Sequence, residues 1–247
     1  MGIWAAVKYA LNSTLGTSSF LSLDKMIQAH GTQTFTENGT FTVPAGVTKI
    51  WVTACGGGGG GGGARMDDEA GAGGNGGSCI IREPYTVTPN SKINIVIGLG
   101  GAAGESSRSS SSPKSGQSGG TTVIGSLVSL PGGVAQAHAT TPNTEDRNIG
   151  AGIGGEGARG SSNRYSKDGE NGVRGCGGTG NGYGAGYTSG GGGGGSFGNG
   201  GNGAYYFNKT LHTATPPGYG GGGGGATNYT SSNTASAGGN GIVIIEW

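Results

Sequence analysis

Eight glycines stand in unbroken succession at residues 56–63, directly after the apolar run Ile50-Trp51-Val52-Thr53-Ala54-Cys55. Six more occupy 190–195 and another six 220–225. Such runs admit two physical states. Unpacked glycine is linker, since it gains no side-chain contacts and loses the most backbone freedom on ordering. Packed glycine can form left-handed helices of the polyproline-II type, with three residues per turn and no internal hydrogen bonds. Their N–H and C=O groups are then free to bond neighbouring chains. The flanking sequence decides between the two.

Glycine makes up 63 of the 247 residues, without the every-third-residue repeat of collagen. Charged residues are only 11% and the formal net charge is +1. The β-branched and aromatic residues gather in short blocks, which separates the chain from polar disordered sequences. This balance argues against a nucleic-acid surface or an electrostatic membrane anchor. No apolar stretch approaches the length of a membrane-spanning helix. The three cysteines, Cys55, Cys79 and Cys176, lack metal-ligand spacing. A Cys55–Cys79 disulfide is one reading, and small buried thiols at strand ends are the favoured one.

The first 31 residues differ in character. Ile3, Trp4, Val7, Leu11 and Leu15 recur at three-to-four spacing and predict an amphipathic helix ending near Gly16. Ser22 or Asp24 caps a second short helix over 25–29, with Phe20, Leu21, Leu23, Met26 and Ile27 on its apolar side. With no core of its own, this segment reads as an attachment and oligomerisation element, residues 1–31, carried by Ile3, Trp4, Val7, Leu11, Leu15, Leu23 and Ile27. Residues 32–247 form the second unit. Lys8 interrupts the early apolar run and no small-residue cleavage site follows, so synthesis in the cytoplasm without export by the usual route is expected.

From residue 32 the pattern is of strands. Thr34-Phe35-Thr36-Glu37 and Thr40-Phe41-Thr42-Val43 flank Asn38-Gly39, a dipeptide that predicts a hairpin. Residues 48–54 alternate, with Ile50, Val52 and Ala54 on one face. Further strands are predicted at 78–83, 92–97 and 121–130, the last broken at Gly125-Ser126. Apolar blocks then vanish until Ile242-Val243-Ile244-Ile245. A strand this short needs a sheet to join. The glycine-rich region before it is therefore an excursion anchored at both ends in one sandwich, and so are the excursions leaving Cys55 and Ile97. Ordering so much glycine demands dense hydrogen bonding between chain segments, which packed polyglycine rods running in both directions supply.

Chemistry-bearing motifs are absent. G-x-G-x-x-G recurs as the composition dictates, but never between a strand and an amphipathic helix with an acidic residue downstream. No Gly-Lys-Ser/Thr follows a glycine run. His30, His138 and His212 are isolated, and Asp67, Asp68 and Glu69 lack the alternating spacing of a calcium loop. No paired carboxylates mark a glycosidase site. The expectation is a non-enzyme with no cofactor and no metal. Five polar segments remain: 105–118, 140–148, 161–171, 205–217 and 227–237. Rods of similar length would bring several of them to one end, roughly 25 Å from the sandwich at about 3.1 Å per residue. Tyr205-Tyr206-Phe207, with Tyr165, Tyr183, Tyr187, Tyr219 and Tyr229, offers large amphipathic surfaces of low rotamer entropy. The candidate binding residues are Tyr165, Tyr205, Tyr206, Phe207, His212 and Tyr229.

Phe41-Thr-Val-Pro-Ala-Gly-Val-Thr48, then Ile50-Trp-Val-Thr-Ala-Cys-Gly-Gly-Gly-Gly, then Tyr85-Thr-Val-Thr-Pro-Asn and Ile95-Val-Ile-Gly-Leu-Gly-Gly101 appear in that order, closed by Gly241-Ile-Val-Ile-Ile-Glu-Trp247. Together they resemble the glycine-rich domain of bacteriophage tail-fibre and adhesin proteins, over residues 33–247. The opening Ala6-Val-Lys-Tyr-Ala-Leu-Asn-Ser-Thr-Leu-Gly16 is similar to the N-termini of phage structural proteins from Gram-positive hosts. A related plan occurs in the extracellular glycine-rich region of the anaplastic lymphoma kinase receptor, a secreted protein, whereas this chain lacks a signal. The resemblance implies a mainly β protein with a short N-terminal helical segment. Its body is an antiparallel, jelly-roll-like β-sandwich with a polyglycine-II bundle inserted between strands. It further implies a virion protein of the tail fibre, bound to other virion proteins through residues 1–31, whose distal loops contact a bacterial surface receptor, glycan or protein. A homotrimer is expected, with no nucleic-acid partner and no membrane insertion. The alternative is a baseplate or head decoration whose rods only form a rigid protrusion.

Overall fold

Two short antiparallel sheets close on each other because alternate residues of their strands are apolar. The computed structural model describes residues 30–65, 71–107, 114–135, 197–207, 210–227 and 234–247, with the strand segments 162–163, 166–167, 181–183 and 187–189. The helices expected in residues 1–29 lie outside the described residues, as do Ile3, Trp4, Val7, Leu11, Leu15, Leu23 and Ile27. The strands are β1 (Thr32–Phe35), β2 (Gly39–Thr42), β3 (Lys49–Cys55), β4 (Cys79–Thr86), β5 (Lys92–Val96), β6 (Thr122–Ile124) and β7 (Val128–Leu130). They continue as the short pairs β8 (Ser162–Asn163) with β9 (Ser166–Lys167), β10 (Asn181–Tyr183) with β11 (Tyr187–Ser189), and β12 (Tyr205–Phe207) with β13 (Thr210–His212). The last strand is β14 (Ile242–Glu246).

One sheet has the order β1-β14-β3-β4 and the other β2-β5-β6-β7, with all pairings antiparallel. β14 sits between β1 and β3, so the sheet is continuous only with β14 in place. Ile50, Val52 and Ala54 of β3, Ile93 and Ile95 of β5, and Val243 and Ile245 of β14 point into the shared core with Phe35, Phe41, Val43, Ile124 and Leu130. Trp247 tilts onto Phe41 with ring centroids 5.3 Å apart. Gly31 and Trp247 exchange backbone hydrogen bonds at 2.9 and 3.0 Å. The two ends of the domain are thus tied together at the base of the sandwich.

The hairpin expected at Asn38-Gly39 does not form. β1 and β2 enter opposite sheets, and the turn between them is an arch that crosses the core in jelly-roll fashion. A two-residue type I′ turn needs positive φ at both central positions. Among the described residues positive φ occurs at Gly46, Arg82, Asn90, Gly125 and Gly220, and at neither Asn38 nor Gly39. The Asn38 side chain instead accepts the Ile97 N–H at 2.8 Å, while Phe35 and Phe41 fill the core on either side of the arch. Elsewhere the expected turns hold: Gly125 (φ 49) breaks the 121–130 segment into the β6–β7 hairpin, and Asn90 (φ 62) follows Pro89 between β4 and β5.

The edge strand β4 is shielded. β4 itself is bulged: Ile81 and Arg82 together oppose Thr53, and left-handed Arg82 (φ 52) turns its guanidinium to 5.5 Å from the Trp51 ring. Lys49 approaches the same ring at 5.7 Å, and Arg82 also pairs with Glu246 at 3.5 Å. A bulge, Pro84 and charged side chains are the usual means of blunting a free edge.

Rods leave and re-enter the sandwich at one end: from Cys55, Val96 and Leu130 outward, and into Cys79, Thr122 and Ile242 on return. Nine such segments lie among the described residues, here numbered rod 1 (56–64), rod 2 (71–78), rod 3 (98–107), rod 4 (114–121), rod 5 (131–135), rod 6 (198–204), rod 7 (213–218), rod 8 (220–227) and rod 9 (234–241). Rod 1 is central. The N–H groups of Gly56, Gly59 and Gly62 donate to rod 2 (Ser78, Asn75, Ala72), those of Gly57, Gly60 and Gly63 to rod 4 (Gly120, Gln117, Lys114), and those of Gly58 and Gly61 to rod 9 (Gly239, Ser236), at 2.7–3.0 Å. Every third residue faces the same neighbour, which is the signature of a three-residue turn. Its carbonyls accept in the same rhythm. Gly58, Gly61 and Ala64 accept from rod 3 (Gly101, Gly104, Ser107), Gly59 and Gly62 from rod 8 (Gly223, Ala226), and Gly57 from rod 5 (Gly133).

The six neighbours close into a ring. Rod 2 bonds rod 5, rod 5 bonds rod 4, rod 4 bonds rod 3, rod 3 bonds rod 9, rod 9 bonds rod 8, and rod 8 bonds rod 2. Around that ring returning and outgoing rods alternate: the returning rods accept from rod 1 and the outgoing rods donate to it. This explains an unbroken glycine run. A rod enclosed on three donor and three acceptor sides has no face on which a side chain fits, and residues 56–64 are all buried. An outer rod faces the centre only once per turn. Accordingly Gly71, Gly74 and Gly77 of rod 2 abut the Gly62, Gly59 and Gly56 carbonyls, and Gly116 and Gly119 of rod 4 abut those of Gly60 and Gly57.

At the sandwich end, side chains stand in for backbone partners. Thr122 Oγ1, fully buried, accepts the Gly98 N–H at 3.0 Å and donates to the Cys55 carbonyl at 2.8 Å. Asn240 Oδ1 accepts the Gly100 N–H at 2.9 Å. Thr122→Val keeps the shape and strands both buried groups, so it is expected to lower unfolding free energy by about 2–4 kcal/mol in denaturant titration.

Candidate functional site

The far end of the bundle is assembled by the rods. Rod 6 runs parallel to rod 8, with Gly201 and Ala204 donating to the Gly222 and Gly225 carbonyls, and leads into β12. The chain turns through β13 and comes back as rod 7, where Thr215 and Gly218 donate to the Asn202 and Asn199 carbonyls. The β12–β13 ribbon therefore lies distally, with Tyr205 opposite His212, Tyr206 opposite Leu211 and Phe207 opposite Thr210. Ribbons β10–β11, in which Tyr183 faces Tyr187, and β12 lie side by side, and β9 lies against β10 and β11.

Of the expected binding residues, Tyr205, Tyr206, Phe207 and His212 are thus on one ribbon. Tyr165 and Tyr229 lie outside the described residues. Tyr219 does not join this end. It precedes Gly220, whose left-handed φ of 69° turns rod 7 into rod 8 over Cys55 at the sandwich junction. The spacing between aromatics along the chain carried no information about which end of a rod each occupies.

Other segments read as loops are partly rods. Residues 114–118, 213–217 and 234–237 continue the three-residue hydrogen-bond rhythm. Most of their polar side chains are exposed, which makes them look like loop by composition, whereas the buried Ser236 hydroxyl accepts the Gly224 N–H and donates to the Thr215 carbonyl. Near the distal ends of rods 3 and 4, Glu105 and Lys114 form an exposed ion pair at 2.6 Å, and the Lys114 ammonium holds the Glu105 carboxyl below the usual range. At the distal ends of rods 1, 8 and 9, Ala64, Ala226 and Ala235, with Ala103 against them, make a small apolar layer. Its residues were not singled out in the sequence; alanine directly after each of two glycine runs was the available signal.

Among the described residues no group of three or more His, Cys, Asp or Glu could hold a metal, and no helix is long and apolar enough to cross a membrane. Among the described residues, the distal end of the bundle carries the β10–β11 and β12–β13 ribbons and the Glu105–Lys114 ion pair.

A β-sandwich whose strands are joined through a hexagonal bundle of polyglycine-II rods defines a glycine-rich domain. The glycine-rich domain family matches residues 33–247, and the chain belongs to it. No curated protein sequence matches the chain.

Proposed function

We propose that this chain is a virion protein of a bacteriophage tail fibre that binds a bacterial surface receptor, glycan or protein, through the distal ribbons and turns. The observation that carries the reading is the polarity of the domain. The first and last segments of the domain, at Gly31 and Trp247, are joined at the base, whereas the β12–β13 ribbon is at the opposite end of the rods. A rod of nine residues spans roughly 25 Å at about 3.1 Å per residue. Residues 1–31 attach the protein to the particle, and the tip reaches outward as a homotrimer. It needs no cofactor and performs no catalysis. Tyrosine-rich ribbons on a preordered support bind with little loss of side-chain entropy.

Replacing Tyr205, Tyr206 and Phe207 together with alanine is expected to reduce competition by the purified protein for phage adsorption at least tenfold, which corresponds to about 1.4 kcal/mol. Circular dichroism and thermal unfolding should stay unchanged. Undiminished competition would remove the tip assignment. Failure of the unaltered chain to compete at all would favour a decoration protein.

A further inference from the structure

We propose that Cys55 and Cys79 are a cross-strand dithiol that closes to a disulfide on oxidation and pins the root of the central rod to the edge strand of its sheet. The two residues are register partners at the rod end of β3 and β4, and both thiols are free. Immediately beyond them the Gly56 N–H donates to the Ser78 carbonyl at 2.9 Å. In antiparallel pairing this alternation makes Cys55 and Cys79 a non-hydrogen-bonded pair, with Cα atoms typically about 4.5 Å apart and side chains on one face. A disulfide accepts Cα separations of about 4.4–6.8 Å. The pair sits where rod 1 begins and rod 2 ends, so the bridge would clamp one outgoing and one returning segment at their common origin.

The two thiols differ in access. Cys55 is fully buried beneath Gly220, where a Cβ would lie 2.7 Å from its Sγ, and burial pushes its pKa up to about 12. Cys79 is half-buried. Oxidation therefore begins at Cys79. With glutathione disulfide as oxidant, the Cys79 thiolate attacks one sulfur, an S–S bond to glutathione forms, and one glutathione leaves as thiolate. Cys55 then loses its proton to solvent and its thiolate attacks the Cys79 sulfur, forming the Cys55–Cys79 bond and expelling the second glutathione. Two thiols are oxidised and one disulfide is reduced to two thiols, so the exchange balances. The second step is the slow one because the attacking thiol is buried and weakly acidic. In a protein made in the cytoplasm and used outside it, the domain would fold as a dithiol and be stapled afterwards; this timing rests on the function proposed above, whereas the bridge does not.

The test uses the full chain carrying Cys176→Ser, treated with glutathione disulfide at mildly alkaline pH and mapped by mass spectrometry after digestion. The expected product links the Cys55 and Cys79 peptides, after transient build-up of a Cys79–glutathione adduct. Thermal unfolding should move up by about 5–10 °C and fall back with reductant. Cys55→Ser should stop at the adduct, and Cys79→Ser should take up no glutathione while folded. The unaltered chain, mapped in parallel, guards against an effect of the serine at 176. A stable Cys79 adduct that never resolves, or linkage appearing only above the unfolding temperature, would overturn the proposal. Linkage in a chain that fails to compete for adsorption would sustain the bridge and refute the tip.

Discussion

Gly59→Ala is expected to leave the domain unable to fold. The added Cβ would lie 2.5 Å from the Val134 carbonyl oxygen, 2.7 Å from its carbon and 2.9 Å from the Gly133 oxygen, all backbone atoms of rod 5. Nothing flexible is present to yield. Relief requires moving rod 5 away, which breaks the bonds from Gly133 to Gly57, from Gly119 to Gly133 and from Asn75 to Val134. Groups left unpaired cost about 1–3 kcal/mol each, so the three lost bonds sum to about 3–9 kcal/mol before any loss of packing, against a usual margin of about 5–15. Valine is worse than alanine for the same reason. A linker would tolerate either. Leu99→Ala is the matched control: Leu99 lies in rod 3 with 67% of its surface exposed, and its loss should shift stability by no more than about 0.5 kcal/mol. Limited proteolysis and far-ultraviolet circular dichroism of the purified variants read the difference.

Removing residues 242–247 should have an effect as large. It deletes β14 from between β1 and β3, leaving β1 without a partner strand and stripping β3 of one. Val243 and Ile245 leave the core, each worth about 1.5–3 kcal/mol of burial, and Phe41 loses Trp247. Rod 9 then has no anchor, and with it go the acceptors for Gly58 and Gly61. The shortened chain is expected to show no cooperative thermal transition. A milder version, Ile245→Ala, should cost about 2–5 kcal/mol and keep the fold, which separates loss of packing from loss of the strand.

The strands were legible because their apolar residues alternate: Ile50, Val52 and Ala54 announced both β3 and its buried face. The return of apolar residues at Ile242 made the sandwich a necessity, because a lone strand must join a sheet. The arch at Asn38-Gly39 was not legible, since turn chemistry is local and the choice of partner sheet depends on β14, more than two hundred residues away. In the rods, the period of three is invisible where every residue is glycine. It is written in the outer rods instead, at Gly71, Gly74 and Gly77 and at Gly101 and Gly104, and there polar neighbours disguised it as loop. The tip was legible as composition and not as position. Tyr205 and Tyr219 look equivalent in sequence and belong to opposite ends of the bundle. The junction residues Asn38, Thr122 and Asn240 carried no sequence signal, because a side chain replaces a backbone partner there only by virtue of the three-dimensional meeting of sheet and rod.

The alternation of outgoing and returning rods has a consequence for variation. Rods 1 and 2, 3 and 4, 6 and 7, and 8 and 9 are each successive in the chain and already hydrogen-bonded to one another along their length. The turn that joins such a pair closes a connection the bundle has made for itself. Its length enters no rod's register, and its residues fill no position in the ring. The scaffold therefore tolerates almost no novelty along its shaft and leaves its crown nearly free to diversify, a division of labour of the kind found where hypervariable loops crown an invariant framework.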